Sequence, residues 1–208
     1  LTDETVILTS VPAISDVKVV IEILQDLGAA VEYQEKKGIL SITAKGVKKS
    51  ILNPVLAQKL RASTVLLGPL LARRGSVTAP PPGGDKIGPR EMNAHFDGFK
   101  QLGAKVKINP DTSFTLSGKL AGASVFFFFS SVTATENIFM AAVLTPGITT
   151  IDNAASEPHV AALTKMLISM GAKISGLGSN RLVIEGVKTL HGTTAATPPD
   201  FVYIGTMI

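Results

Sequence analysis

Three copies of one short pattern constrain this chain more than any other feature: Asp26-Leu27-Gly28-Ala29, Gln101-Leu102-Gly103-Ala104 and Ser169-Met170-Gly171-Ala172. The glycines lie 75 and 68 positions apart, which predicts a repeated unit of about 70 residues. Counting back from each glycine, apolar residues recur: Leu27, Leu102 and Met170 one position before; Leu24, Phe99 and Leu167 four before; Val17, Met92 and Val160 eleven before. That spacing is one face of an amphipathic helix, stopped each time by a glycine C-cap.

A hairpin pattern follows each helix: Ala30–Tyr33 with Ile39–Ile42, Lys105–Ile108 with Ser113–Leu116, and Lys173–Ser175 with Arg181–Ile184. Turn residues such as Lys37-Gly38, Asn109-Pro110-Asp111 and Gly178-Ser179-Asn180 separate the halves, and alternation leaves one apolar face to cover the helices. A second helix precedes the later units, opening near Arg61 and Thr133, each fourteen residues before a glycine (Gly75 and Gly147). Gly205-Thr206 predicts the start of a third such helix. The run Phe126-Phe127-Phe128-Phe129 reads as a fully buried strand. A single unit cannot bury its own helix faces, so three units are expected to close on one another.

Composition excludes several classes. At 45% hydrophobic and 17% charged residues the chain is not disordered, and no apolar run is long enough to span a membrane. The absence of cysteine removes disulfides and thiol chemistry, and His95, His159 and His191 lack metal-ligand spacing. A net charge of +4 suits a phosphate-bearing partner, but scattered Lys and Arg do not make a nucleic-acid surface. Without an initiator Met or a signal peptide, the start reads as the interior of a longer chain.

The units differ in one place. From strand start to capping glycine, the first spans 23 positions (Thr5 to Gly28) and the third 24 (Gly147 to Gly171), but the second spans 28 (Gly75 to Gly103). The surplus is in Pro80-Pro81-Pro82-Gly83-Gly84-Asp85-Lys86-Ile87-Gly88-Pro89-Arg90, and insertions in repeat folds tend to carry function. Asp85 could serve as a general acid or base if a closing lid dried it, or be a solvated loop aspartate. Arg90, at a helix entry beside free N–H groups, suits phosphate or carboxylate, and Arg61 at the equivalent helix start could add to one anion pocket or be a surface arginine.

Four segments carry a resemblance: Leu60-Arg61-Ala62-Ser63 with Leu67-Gly68-Pro69-Leu70; Gly83-Gly84-Asp85-Lys86-Ile87-Gly88-Pro89-Arg90 with His95; Ser131-Val132-Thr133-Ala134-Thr135-Glu136-Asn137; and Asp152-Asn153-Ala154-Ala155-Ser156-Glu157-Pro158. In order and spacing they resemble the UDP-N-acetylglucosamine 1-carboxyvinyltransferases, a family of enolpyruvyltransferases. The resemblance implies an α/β (α+β) fold, an inverse α/β barrel lobe built from three βαβαββ repeats. Those repeats would cover about 1–58, 59–127 and 128–198, with a further element starting at 199–208 and a second lobe lying outside the chain.

By the same resemblance the enzyme moves the enolpyruvyl group of phosphoenolpyruvate to the 3′-hydroxyl of UDP-N-acetylglucosamine, releasing phosphate, in the cytoplasm, as the first committed step of peptidoglycan synthesis. It implies no cofactor or metal, and no nucleic-acid or membrane partner. Asp85 would be the general acid, at a position where most members carry the cysteine alkylated by fosfomycin, which implies resistance to that drug. Arg90 would bind phosphoenolpyruvate and lie against the uridine, with Arg61 supporting the phosphate pocket. Glu91, Met92, Asn93 and Ala94 would line the uracil site with His95 beside them, and Ser131, Val132 and Thr133 would meet the diphosphate. The chain departs from the usual pattern at Glu91 (proline), Phe129 (lysine), Thr133 (glycine), and Phe201 and Tyr203 (Arg and Glu). The alternatives are a 5-enolpyruvylshikimate-3-phosphate synthase-like transferase and a non-catalytic nucleotide-sugar-binding or scaffold lobe.

Overall fold

The computed structural model describes residues 1–84 and 91–208; Asp85, Lys86, Ile87, Gly88, Pro89 and Arg90 lie outside the described residues. The repeated Leu/Met-Gly-Ala pattern has a local physical cause. Helices α1 (Ser15–Leu27), α4 (Asn93–Gln101) and α6 (Pro158–Ser169) are followed by Gly28, Gly103 and Gly171, with φ of 103°, 95° and 98°. Only glycine adopts this left-handed turn without a Cβ penalty. In all three copies the following alanine N–H reaches back to the carbonyl of Leu24, Phe99 or Leu167, each at 2.9 Å, which is the closing bond of a Schellman cap. Ala29, Ala104 and Ala172 are themselves buried, so a small apolar residue is needed there.

The hairpins form where alternation placed them. Strand β2 (Ala30–Gln34) pairs antiparallel with β3 (Ile39–Thr43), β5 (Lys105–Ile108) with β6 (Phe114–Ser117), and β9 (Lys173–Ser175) with β10 (Arg181–Glu185). Each hairpin strand β3, β6 and β10 then pairs antiparallel with the strand preceding its helix: β1 (Thr5–Thr9), β4 (Ser76–Ala79) and β8 (Ile148–Asp152). A parallel partner completes each sheet. For β8 it is β7 (Ser124–Phe126), for β4 a single bridge from Ile51 to Thr78, and for β1 it is β11 (Thr194–Ala196), from the far end of the chain.

Helices occupy the middle. α5 (Val132–Ala142) buries eight of its eleven residues and packs against α3 (Leu67–Arg74) and α4. The sheets bury one face only: Phe114 and Leu116 of β6 and Leu182 and Ile184 of β10 point inward between more exposed neighbours. Helices inside and sheets outside is the inverse barrel arrangement that the resemblance implies. α3 and α5 meet at Gly68, where an added Cβ would lie 2.2 Å from the Asn137 carbonyl oxygen, so the close crossing needs glycine. Between α1, α3, α5 and α6 an apolar groove of about 240 Å³ is lined by residues including Leu24, Leu70, Met140, Leu163 and Met166.

Two expectations need correction, and a third holds with a difference. The helix opening at Arg61 is not one α-helix: after the short α2 (Pro54–Ala57), Arg61–Leu66 is a 3-10 helix that passes into α3 at Leu67. Pro69 lacks the N–H that would bond to Val65, its ring crowds that carbonyl, and the Ser63 hydroxyl donates to Ala57 and Leu60 carbonyls instead. The four phenylalanines are not a buried strand. β7 ends at Phe126, Phe127 alone is buried, and Phe128 is 88% exposed. β7 is an edge strand in which Val125 points inward and Phe126 outward, and Gln101 satisfies its free edge by accepting from the Phe126 N–H at 2.9 Å and donating to its carbonyl at 3.3 Å. The third such helix does begin, as α7 (Phe201–Thr206), capped by Asp200, but none of its residues is buried.

Candidate functional site

The inserted loop approaches its site over residues that the structure describes up to Gly84. A Cβ at Gly83 would overlap the Gln58 carbonyl oxygen at 1.6 Å, and Gly84, with φ of 91°, sits against the Arg61 backbone N–H. The two glycines therefore seat the loop on the segment that opens the 3-10 helix at Arg61. Asp85 and Arg90, the expected general acid and phosphoenolpyruvate ligand, lie outside the described residues. From Glu91 onward, the Arg61 guanidinium donates to the Glu91 carbonyl at 3.3 Å, and the Asn93 amide donates to the Glu91 carboxylate. Met92 and His95 are buried, Ala94 is partly buried, and Glu91 and Asn93 are exposed.

His95 ties this segment to α5. Its Nε2 lies 3.1 Å from the Thr133 hydroxyl and its Nδ1 lies 3.1 Å from the Asn137 amide nitrogen. Desolvation, with the Arg61 charge added, lowers its pKa to about 4, so the ring is neutral at neutral pH. Ser131 caps α5: its hydroxyl accepts from the Ala134 N–H at 3.4 Å. Val132 opens the helix and Thr133 follows it. The structure thus gathers Arg61, Glu91, Met92, Asn93, His95 and Thr133 in one connected set, with Ser131 and Val132 adjoining. A cationic guanidinium, an α-helix start and a fixed hydroxyl at one place suit an anionic ligand rather than redox or metal chemistry. Among the described residues no group of three metal-ligating side chains occurs.

Two features escaped sequence reasoning. Asn137 belongs to a quoted segment but had no role; its signal is a polar side chain immediately before the apolar run Ile138–Ala142 of a central helix. Its Oδ1 accepts from the Gly68 N–H at 2.7 Å and its amide donates to the Thr64 carbonyl at 2.9 Å. Glu136, one residue earlier, faces Glu157 and His159, with His159 Nε2 3.9 Å from its carboxylate. Burial, then the Glu157 charge, raises the Glu136 pKa to about 7, and Glu157 Oε2 is buried without a hydrogen-bond partner among the described residues.

Against known proteins, the family described as EPSP synthase (3-phosphoshikimate 1-carboxyvinyltransferase) matches residues 1–208. The chain belongs to that family. Within the EPSP synthase family, the chain is 49% identical over 208 residues to the UDP-N-acetylglucosamine 1-carboxyvinyltransferase of Treponema denticola, covering all of this chain and 48% of that one. The proteins of the same name from Borrelia garinii subsp. bavariensis and Bradyrhizobium diazoefficiens are 48% and 45% identical, again with all of this chain and 48% of theirs covered. The chain therefore spans about half the length of the curated relatives it matches. Its fold is the enolpyruvyl transferase fold. The crystal structure of the enolpyruvyl transferase NikO from Streptomyces tendae superposes with a TM-score of 0.87 at 20% identity, covering 99% of this chain and 49% of that one. EPSP synthase from Acinetobacter baumannii superposes at 0.74, also at 20% identity, over 95% of this chain and 45% of that one.

Proposed function

We propose that this chain is one lobe of a two-lobed transferase that moves the enolpyruvyl group of phosphoenolpyruvate to the 3′-hydroxyl of UDP-N-acetylglucosamine. The observation that carries this reading is similarity along all 208 residues, at 49% identity, to the UDP-N-acetylglucosamine 1-carboxyvinyltransferase of Treponema denticola, together with the joined set of Arg61, His95 and Thr133. In the proposed reaction the sugar hydroxyl gives up its proton to a base as its oxygen bonds C2 of phosphoenolpyruvate, while an acid delivers a proton to the methylene carbon. The tetrahedral adduct then gives a methyl proton to a base and expels phosphate, leaving the enolpyruvyl ether. Asp85 supplies the proton to the methylene, Arg90 and Arg61 hold phosphoenolpyruvate, Glu91, Met92, Asn93, Ala94 and His95 border the uracil, and Ser131, Val132 and Thr133 meet the diphosphate. Cytoplasmic peptidoglycan precursor synthesis, fosfomycin resistance through Asp85, and completion of the cleft by a second lobe of the same chain belong to the same proposal. No described helix is long and apolar enough to cross a membrane.

The test is phosphate release from phosphoenolpyruvate by the full-length parent protein. Release that requires UDP-N-acetylglucosamine is the expected result, and these 208 residues alone should release none, because the second lobe's groups are missing. Release that depends on shikimate 3-phosphate instead would transfer the assignment to the EPSP synthase reaction. No release with either acceptor would leave a binding or scaffold lobe.

A further inference from the structure

The hydrogen bonds around Asn137 can each run in one direction only. The Gly68 N–H is a donor, so the atom 2.7 Å away must be the Asn137 oxygen; the Thr64 carbonyl is an acceptor, so the atom 2.9 Å away must be the amide nitrogen. That nitrogen has a second hydrogen, and it faces His95 Nδ1 at 3.1 Å. Nδ1 therefore accepts, and in a neutral ring the proton sits on Nε2. Nε2–H in turn donates to the Thr133 oxygen at 3.1 Å, so that oxygen accepts from within the protein. The Thr133 hydroxyl hydrogen is left to donate elsewhere, and no described residue accepts it. His95 is 2% exposed and Asn137 fully buried, so water cannot compete with the internal part of this chain of bonds.

We propose that Asn137 and His95 are positioning residues that hold Thr133 as an outward-facing hydroxyl donor, making Thr133 a specificity-determining residue for a phosphate oxygen of the nucleotide sugar. This rests on the functional reading above. The backbone of the Gly68 turn sets Asn137, Asn137 sets the His95 tautomer, and the tautomer sets the hydroxyl. A hydroxyl hydrogen left over to donate pairs well with an oxygen anion and does not suit a ligand group that can only donate, such as an ammonium. Ser131 also accepts from within the protein, but from the Ala134 backbone N–H at 3.4 Å, a longer bond made to the helix end and not to a buried side chain.

Steady-state kinetics of Thr133→Val and Thr133→Ser in the full-length protein test the assignment. Valine keeps the shape and removes the hydroxyl: KM for UDP-N-acetylglucosamine is expected to rise about tenfold, with KM for phosphoenolpyruvate and kcat within about twofold, as for the loss of one charge-assisted hydrogen bond. Serine should restore the nucleotide-sugar KM to within about twofold of the parent. A general folding defect would instead change all three parameters. Should the valine variant fail to fold, nitrogen-15 NMR of histidine in the unsubstituted protein reads the relay directly. The Nε2–H tautomer of His95 is expected, and Nδ1–H overturns the proposal whatever the kinetics. An active parent whose valine variant keeps its nucleotide-sugar KM overturns this inference alone, whereas a parent with no nucleotide-sugar-dependent release overturns the functional reading and this inference with it.

Discussion

Glu136 and Asn137 are consecutive in α5 and meet opposite environments. Asn137 spends both amide hydrogens and its oxygen on Gly68, Thr64 and His95, so a fully buried polar side chain is satisfied and three segments are fixed relative to one another. Glu136 lies against Glu157 with one carboxylate oxygen of the pair unpartnered among the described residues, and its ionisation is opposed by burial. The difference shows how one helix turn can hold both a rigid scaffold and an electrostatically unsettled face. Complete hydrogen bonding in a dry interior rewards a single geometry, and incomplete bonding in the same interior penalises charge.

The largest expected effect comes from breaking the satisfied side. Asn137→Ala strands the Gly68 N–H, the Thr64 carbonyl and His95 Nδ1 in the core, and should cost about 4 kcal/mol, read as a lower urea midpoint of the full-length protein. A variant within about 0.5 kcal/mol of the parent would show that water or repacking replaces the amide.

Titration sharpens the contrast. His95 has its pKa lowered from 6.5 to about 4, so the folded state prefers the neutral ring; that contribution is complete above pH 6.5 and is lost as pH falls towards 4. Glu136 has its pKa raised from 4.5 to about 7, so the folded state prefers the protonated acid; that contribution is complete below pH 4.5 and is lost as pH rises towards 7. The two slopes oppose each other between about pH 4.5 and 6.5. Glu136→Gln removes one of them: stability should gain about 2 kcal/mol over the parent at pH 8 and almost nothing at pH 4. An equal change at both pH values would mean that packing rather than charge governs the site. The smallest effect is expected at the surface, where Phe128→Ser removes a ring that is 88% exposed and should leave the thermal midpoint within about 1–2 °C.

Much of the fold was legible in the residues because its signals are local. The Gly28, Gly103 and Gly171 caps need only a left-handed residue followed by a small buried one, and the hairpins need only alternation and turn residues. The candidate site was legible as a set of segments, since Arg61, His95 and Thr133 were each singled out from sequence. Their connection was not, because His95 and Asn137 are 42 positions apart and nothing in either segment specifies the other. The phenylalanine run misled for a related reason: hydrophobicity alone cannot say which face of an edge strand has a neighbour.

By itself, then, the sequence determined the repeated unit, its helix stops and its hairpins, and the inserted loop that sets the second unit apart. Those follow from backbone sterics and periodicity within a few residues. Only the tertiary structure decided that β11 closes the first sheet onto β1, that Gly68 lets α3 and α5 touch, and that Asn137 fixes the proton of His95. Each of these depends on atoms brought together from distant parts of the chain, where the direction of a buried hydrogen bond is set by the partner it meets.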